Sequence, residues 1–384
     1  MKQRIIISVT SDLSTDQRVH RAALTLHNNG FEILLVGRLL KNSLDISGRP
    51  YATHRFKLWF TKGALFYASY NLRLFFYLWF QRVDILLAND LDTLLPNYMV
   101  SKIKRKPLVY DNHEYYTGVP ELANRALVRG IWKAIERWIF PKLKYVYTVN
   151  ASIADLYKSE YKVPVSVVRN VPFTITKSAF TKTQLRKNVG LPDDKFIVIL
   201  QGNGINVDRG AEEAVLSMQY VEDVLLVIAG NGDVIQKLKN MVINKNLESK
   251  VVFKSRMPFN ELINYTRCAN LGLTLDKNTN INYRFSLPNK LFDYIQCGVH
   301  VLASDLIEVK KINQHYNIGT IVKTIFPLDL AKAIHEIKGD DYRQQLWETN
   351  LKTAAAQLNW KNEQHELLKI FKQLANDFNK KTTA

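Results

Sequence analysis

Short apolar runs alternate with amphipathic stretches along most of this 384-residue chain. Ile5–Val9 is continuously apolar, Asp16–Asn28 carries a helical period that stops before Gly30, and Phe31–Val36 is apolar again. The alternation continues through Asp84–Ala88, Leu91–Ile103, Leu108–Tyr110, Arg125–Leu143, Tyr145–Val149, Ile153–Ser159 and Val165–Val168. Strand runs without polar alternation are buried on both faces, so the pattern predicts a parallel sheet with helices on either side. Between Asn170 and Asp194 it lapses into Pro, Thr, Lys and Gly, which reads as a linker over 171–194. It restarts with strands at Phe196–Leu200, Val224–Ala229, Val251–Phe253, Leu271–Leu275, Val299–Ala303 and Gly319–Val322. The fold expected is α/β: two tandem Rossmann-like domains, 1–170 and 195–358, with a central cleft where strand C-termini face each other. Asp341–Asn379 reads as a helical tail, and residues 359–384 are expected to pack back toward the first domain.

Composition sharpens this picture in two ways. The chain is 47% hydrophobic and 23% charged, which excludes wholesale disorder. Its two cysteines, Cys268 and Cys297, lack metal-site spacing and argue for a reducing compartment. The net charge of +18 is unevenly placed: residues 1–170 hold 25 Lys/Arg against 13 Asp/Glu, or +12, which leaves +6 for the rest. A basic half points to nucleic acid, anionic membrane or a phosphorylated substrate. The first residues enter Arg4–Val9 directly without a signal-peptide pattern, and the most apolar stretch, Gly63–Phe80, is interrupted by Arg73. The expected location is cytoplasmic, peripheral on the inner membrane face.

Residues 282–298 are the most informative. Ser286-Leu287-Pro288-Asn289-Lys290 opens a helix near Pro288, and a helix start offers free N–H groups and a positive dipole end to a phosphate. Lys290 adds charge. Asp293, one turn on, can accept hydrogen bonds from the two hydroxyls of a ribose, and Gly298 ends the helix. The same stretch also fits an ordinary amphipathic helix, with Leu291, Phe292 and Ile295 at core spacing.

The pattern Ser286-Leu287-Pro288-Asn289-Lys290-Leu291-Phe292-Asp293-Tyr294 with Gly298 is similar to the donor-site signature of the retaining family 4, group 1 glycosyltransferases of GT-B fold. The order of Ser11–Val19, Asp111-Asn112-His113-Glu114, Ala229-Gly230-Asn231-Gly232-Asp233 and Trp360 extends the resemblance over the chain. It implies a hexosyltransferase that takes a sugar from a nucleotide-diphosphate donor, without a metal or other cofactor. The donor contacts it implies are Asn203, Gly204, Arg209, Gly232, Ser286, Asn289, Lys290 and Asp293. His113, Arg209 and Lys290 are the implied catalytic residues, with cations neutralising the leaving diphosphate. His113 is also the side chain whose ordinary pKa lies nearest neutrality.

Two positions depart from the family. Asn203 stands where an arginine is usual, and Phe285 where a sugar-facing glutamate is usual. On the acceptor or sugar side, Ser11, Asp12, Arg18, Asp92 and Glu114 are the candidates, with Arg18 and Arg21 able to meet an acidic acceptor. Asp90-Leu91-Asp92 has a metal-like spacing, but Asp92 also suits the N-cap of the next helix, and no metal is expected.

The aromatic stretch from Arg55 to Phe80, dotted with Lys and Arg, suggests docking on a membrane to reach a lipid-linked or surface-polysaccharide acceptor. Other readings are a nucleotide-sugar 2-epimerase of the same fold, an inactive sugar-nucleotide binder, or a basic nucleic-acid-binding protein. Nucleic-acid binding is disfavoured because the cations are scattered among apolar residues and no recognition motif appears.

Overall fold

The computed structural model describes residues 2–119, 122 and 125–382, with side chains through 377. It divides into two compact units, residues 1–170 with 363–384, and residues 171–362. The first holds a parallel sheet of β1 (Arg4–Asp12), β2 (Glu32–Leu39), β3 (Ala52–Lys57), β4 (Ile85–Asn89), β5 (Leu108–Asn112), β6 (Tyr145–Thr148) and β7 (Ser166–Val167), in the order β3-β2-β1-β4-β5-β6-β7. The second holds β8 (Phe196–Gly202), β9 (Val224–Gly230), β10 (Val251–Lys254), β11 (Leu271–Thr274), β12 (His300–Ser304) and β13 (Gly319–Val322), ordered β10-β9-β8-β11-β12-β13. The chain winds outward from β1 and then crosses to β4, and likewise from β8 to β11. Open α/β sheets bind ligands beside the carboxyl ends at such reversals. The central strands are apolar because both faces are covered: Ile5, Ile6 and Ile7 in β1, and Ile197, Val198 and Ile199 in β8, are fully buried.

The α/β class and the parallel sheets follow the sequence pattern. Three details differ. β3, whose Ala-Thr-His-Arg-Phe-Lys sequence looks polar, is an edge strand. The proposed linker contains a helix, Lys182–Val189, started by a Thr181/Gln184 capping box. Arg186 on that helix is buried and donates to the Cys268 carbonyl at 3.0 Å and to Asn270 Oδ1 at 2.7 Å, so the segment is part of the second unit. The tail is two helices, Asp341–Gln357 and Trp360–Thr382, and the latter crosses the unit boundary at 363. Beyond it, Glu363 accepts from the Arg169 amide at 2.6 Å, and Asp377 from the Tyr145 hydroxyl at 2.6 Å.

Candidate active site

In the second unit the loops after β8 and β9 are laced together by backbone. The Asn231 amide donates to the Gly202 carbonyl at 3.0 Å, and the Ile205 amide to the Asn231 carbonyl at 3.0 Å. Glycine is required here. Gly230 has φ +134°, and a Cβ on it would sit 1.9 Å from the Gly202 oxygen; one on Gly232 would sit 2.0 Å from the Ile205 oxygen. Asn203, Gly204 and Gly232 are thereby gathered on one loop cluster, with Asn203 and Gly204 exposed.

The loop continues to Arg209. Gly210, at φ +72°, lets the following helix, Ala211–Ser217, approach Leu275 just after β11. The Arg209 guanidinium lies 4.4 Å from the centre of the Tyr283 ring and 2.9 Å from Asp276 Oδ2. Lys290 is half-buried: burial lowers its pKa, Asp276 opposes that shift and Arg209 reinforces it, so the three groups share one electrostatic neighbourhood. The helix Asn289–Cys297 begins there with Pro288 as N-cap. It is seated by Tyr294, whose ring lies over Gly272 and whose hydroxyl donates to the Leu273 carbonyl at 3.1 Å. Both readings of this helix hold at once. Leu291, Phe292 and Ile295 are core, while half-buried Asp293 accepts from Gln201 Nε2 at 3.1 Å. Gln201 is fixed in turn by the Thr266 hydroxyl at 2.6 Å. Ser286 Oγ is buried and meets no partner among the described residues. Asn289 is exposed and Phe285 half-buried.

The first unit's site is a chain of charges across the ends of β1, β4 and β5. Arg18 gives two N–H groups to Asp111, at 3.2 and 2.6 Å, and a third to the Val168 carbonyl at 3.3 Å. His113 stands between Asp90, with Nδ1 at 3.0 Å, and Asp111, with Nε2 at 3.3 Å. The Asp90 carboxylate also accepts the His113 amide at 2.9 Å, and Asp90 takes φ +58°, rare for a non-glycine residue. Burial disfavours the imidazolium, but the Asp90 and Asp111 carboxylates outweigh it and push the His113 pKa up to about 10. Asp111 is held down to about 2, where Arg18 and His113 overcome the opposing effect of burial.

This geometry corrects several expectations. His113 is charged at neutral pH rather than poised to titrate there. Arg18 is buried in its ion pair and is not presented to an acceptor. Arg21 is likewise buried and donates to Asn170. Asp92 is the second residue of the helix Leu91–Lys104, not its cap; the N-cap position belongs to Asp90. The Asp92 carboxylate is buried, accepts from the Thr10 hydroxyl at 2.5 Å, and is raised to about 7 by burial and then by Asp90. Ser11 donates to the helix-capping Asp16 at 2.6 Å. Asp12 accepts from the Ser14 amide at 3.0 Å and the Ser43 hydroxyl at 2.8 Å, so it staples a loop. Glu114 is exposed. Among the described residues no group of three His, Cys, Asp or Glu side chains is arranged to hold a metal ion.

The helix Ala126–Ile139 supports this strand end from outside. Its buried Glu136 accepts from Tyr161 at 2.8 Å, Lys133 at 2.9 Å, Tyr157 at 3.2 Å and Thr117 at 3.4 Å. Its other face leaves Leu127, Ile131 and Trp138 exposed. The helix Gly63–Phe80 has the same two-sided character: Phe66, Tyr70, Leu74 and Leu78 are buried, while Leu72, Phe76, Trp79 and Phe80 are exposed, and Trp59 before it is 89% exposed. No helix among the described residues is long and apolar enough to cross a membrane.

The residues missed by sequence reasoning are Asp276, Gln201 and the ion pair of Asp90 with His113. The last was within reach, because adjacent parallel strands place Asn89-Asp90 and Asp111-Asn112-His113 side by side.

Comparison with known proteins agrees with this architecture. Residues 181–354 match the model for glycosyl transferases group 1, and residues 16–172 that for Glycosyltransferase Family 4. No curated protein matches the chain. Among solved structures it is similar to sucrose-phosphate synthase from Thermosynechococcus elongatus, at 16% identity and TM-score 0.79, covering 98% of this chain and 100% of that one. Anabaena HepE in complex with UDP-glucose aligns at 15% identity and TM-score 0.73 over 97% and 99% of the two chains. WaaG, a glycosyltransferase involved in lipopolysaccharide biosynthesis, aligns at 13% identity and TM-score 0.70 over 92% and 95%. At these identities the structural likeness shows the fold, whereas the two family matches fall one on each unit. The chain belongs to the GT-B-fold glycosyltransferases of the group 1 type.

Proposed function

We propose that the protein is a retaining hexosyltransferase that takes its sugar from a nucleoside-diphosphate donor held by the second unit. The observation that carries this reading is the convergence of Arg209, Lys290 and the start of the helix Asn289–Cys297 beside the β8/β11 reversal. Two cations and a helix N-terminus suit a diphosphate. Asp293, one turn further and oriented by Gln201, suits a ribose. As the glycosidic bond to the donor breaks, negative charge grows on the leaving diphosphate, and Arg209 and Lys290 stabilise it. The acceptor hydroxyl attacks from the side the leaving group vacates, its oxygen bonding to the anomeric carbon as its proton passes to the departing diphosphate oxygen. Asn203, Gly204 and Gly232 supply close backbone approach, and Ser286 Oγ a hydrogen-bonding group without a partner among the described residues.

The acceptor in this reading is a lipid-linked or surface-polysaccharide saccharide. The exposed apolar faces of the helices Gly63–Phe80 and Ala126–Ile139, within a half of net charge +12, support contact with an anionic membrane. His113 serves as a fixed imidazolium and Asp90 as its positioning partner, rather than as a neutral general base.

The test is a thermal-shift panel of UDP, GDP, ADP and their sugars on the wild type and Asp293→Ala. A ligand that binds the folded state at 100 times its Kd stabilises by about 2.7 kcal/mol. Stabilisation by one nucleotide family, lost in Asp293→Ala, is expected. A wild type left unshifted by every nucleotide at millimolar concentration refutes the donor site.

A further inference from the structure

Asp276 lies two residues beyond β11, after Leu275, at the sheet reversal and is fully buried. Its place is fixed from the backbone side: the Ser304 hydroxyl donates to its carbonyl at 2.6 Å, and the next amide, Lys277, donates to the Asp208 carbonyl at 2.8 Å. One carboxylate oxygen holds Arg209 at 2.9 Å, and the other is enclosed and meets no donor among the described residues. Lys290 feels Asp276 as attraction and Arg209 as repulsion. The site therefore contains two cations and one buried anion. Without the anion, two like charges would be held together in a poorly solvated place, which is unfavourable.

We propose that Asp276 is a resident counter-anion of the diphosphate site: it positions Arg209 when no donor is bound, and competes with the diphosphate for Arg209 when one is. The proposal rests on the reading above that these two cations meet the diphosphate. Its consequence concerns product release. With Asp276 the site's three charged side chains sum to +1, so the departing nucleoside diphosphate is always contested by a carboxylate already in place. An asparagine keeps an oxygen to accept from Arg209 and raises the sum to +2.

The experiment is calorimetric titration of UDP, GDP and ADP into the full-length wild type, Asp276→Asn and Asp276→Ser, with Asp293→Ala and Arg209→Met as references. The result expected is that the nucleotide bound by the wild type binds Asp276→Asn about tenfold more tightly, because the diphosphate no longer has to displace a carboxylate from Arg209. Its dissociation slows correspondingly, and in the Arg209→Met background the gain disappears. A structural role alone would weaken binding. Equal or weaker affinity in Asp276→Asn and Asp276→Ser overturns the proposal while leaving the donor site standing, provided that wild-type binding is lost in Asp293→Ala. If the wild type binds none of the nucleotides, or binds them undiminished in Asp293→Ala and Arg209→Met, the donor-site reading fails and this proposal with it. Loss of folded protein in both Asp276 variants makes Asp276 a structural ion and also overturns the proposal.

Discussion

Replacing Arg18 with methionine removes one partner from a buried pair and leaves the other behind. Arg18 and Asp111 are 6% and 1% exposed, and the guanidinium satisfies both Asp111 oxygens and the Val168 carbonyl. Breaking a buried pair from one side costs about 3–5 kcal/mol. The orphaned carbonyl adds about 1 kcal/mol, against which methionine packing and the remaining His113 contact recover part. The expected loss in unfolding free energy at pH 7 is thus about 3–5 kcal/mol. The pH dependence carries a sign. Asp111 is held down to about 2 in the folded wild type, below its unfolded value near 3.9. Its contribution is therefore fully present above that unfolded value and is lost as pH falls through about 2. In Arg18→Met the buried carboxylate gains by taking a proton, so the deficit relative to wild type is largest above pH 4 and narrows on acidification. Urea unfolding followed by circular dichroism, with the first unit's transition fitted separately, measures both quantities. The double variant Arg18→Met/Asp111→Asn is expected to recover most of the loss. A single variant within 1 kcal/mol of wild type at pH 7, or a deficit independent of pH, refutes the buried pair and reopens Arg18 as a contact for an acceptor.

Two other outcomes follow from packing and exposure. Gly230→Ala places a Cβ 1.9 Å from the Gly202 oxygen, so thermal denaturation should show a loss above about 3 kcal/mol. Gly298→Ala, with nothing within 4 Å and only its left-handed φ of +69° to strain, should lose about 1 kcal/mol. The triple change Trp59→Ser/Trp79→Ser/Phe80→Ser removes exposed apolar surface and should abolish co-sedimentation with vesicles containing phosphatidylserine or phosphatidylglycerol; unchanged sedimentation rejects this face as the membrane contact.

The sheets were legible because buried parallel strands are apolar throughout: the isoleucine run of β1 or the Phe196–Leu200 run of β8 needs no tertiary information. β3 escaped because an edge strand carries His54, Arg55 and Lys57 and lacks that run. The helix Asn289–Cys297 was legible because Pro288, Lys290, Asp293 and Gly298 fall within about three turns of one another. Asp276 was not, since its meaning comes from Arg209, 67 residues away, and a lone aspartate after a strand carries no local signal. His113 is visible in the sequence as a histidine just after a strand, but its protonation is not. The carboxylates that hold its proton come from two neighbouring strand ends, and only the strand order brings them to one ring. Asp92 was misplaced by two residues because Asp90, at a positive φ, took the position before the helix.

Glu136 has a consequence for motion. Four donors from three segments meet one buried carboxylate on the helix Ala126–Ile139, and one of them, Thr117, lies four residues beyond His113. Opening that turn would expose or orphan a charge, so its amides belong with the slowly exchanging part of the first unit rather than with a mobile loop. The strand end that carries His113 is therefore a fixed floor, moving only as one body with the helix whose outer face presents Leu127, Ile131 and Trp138.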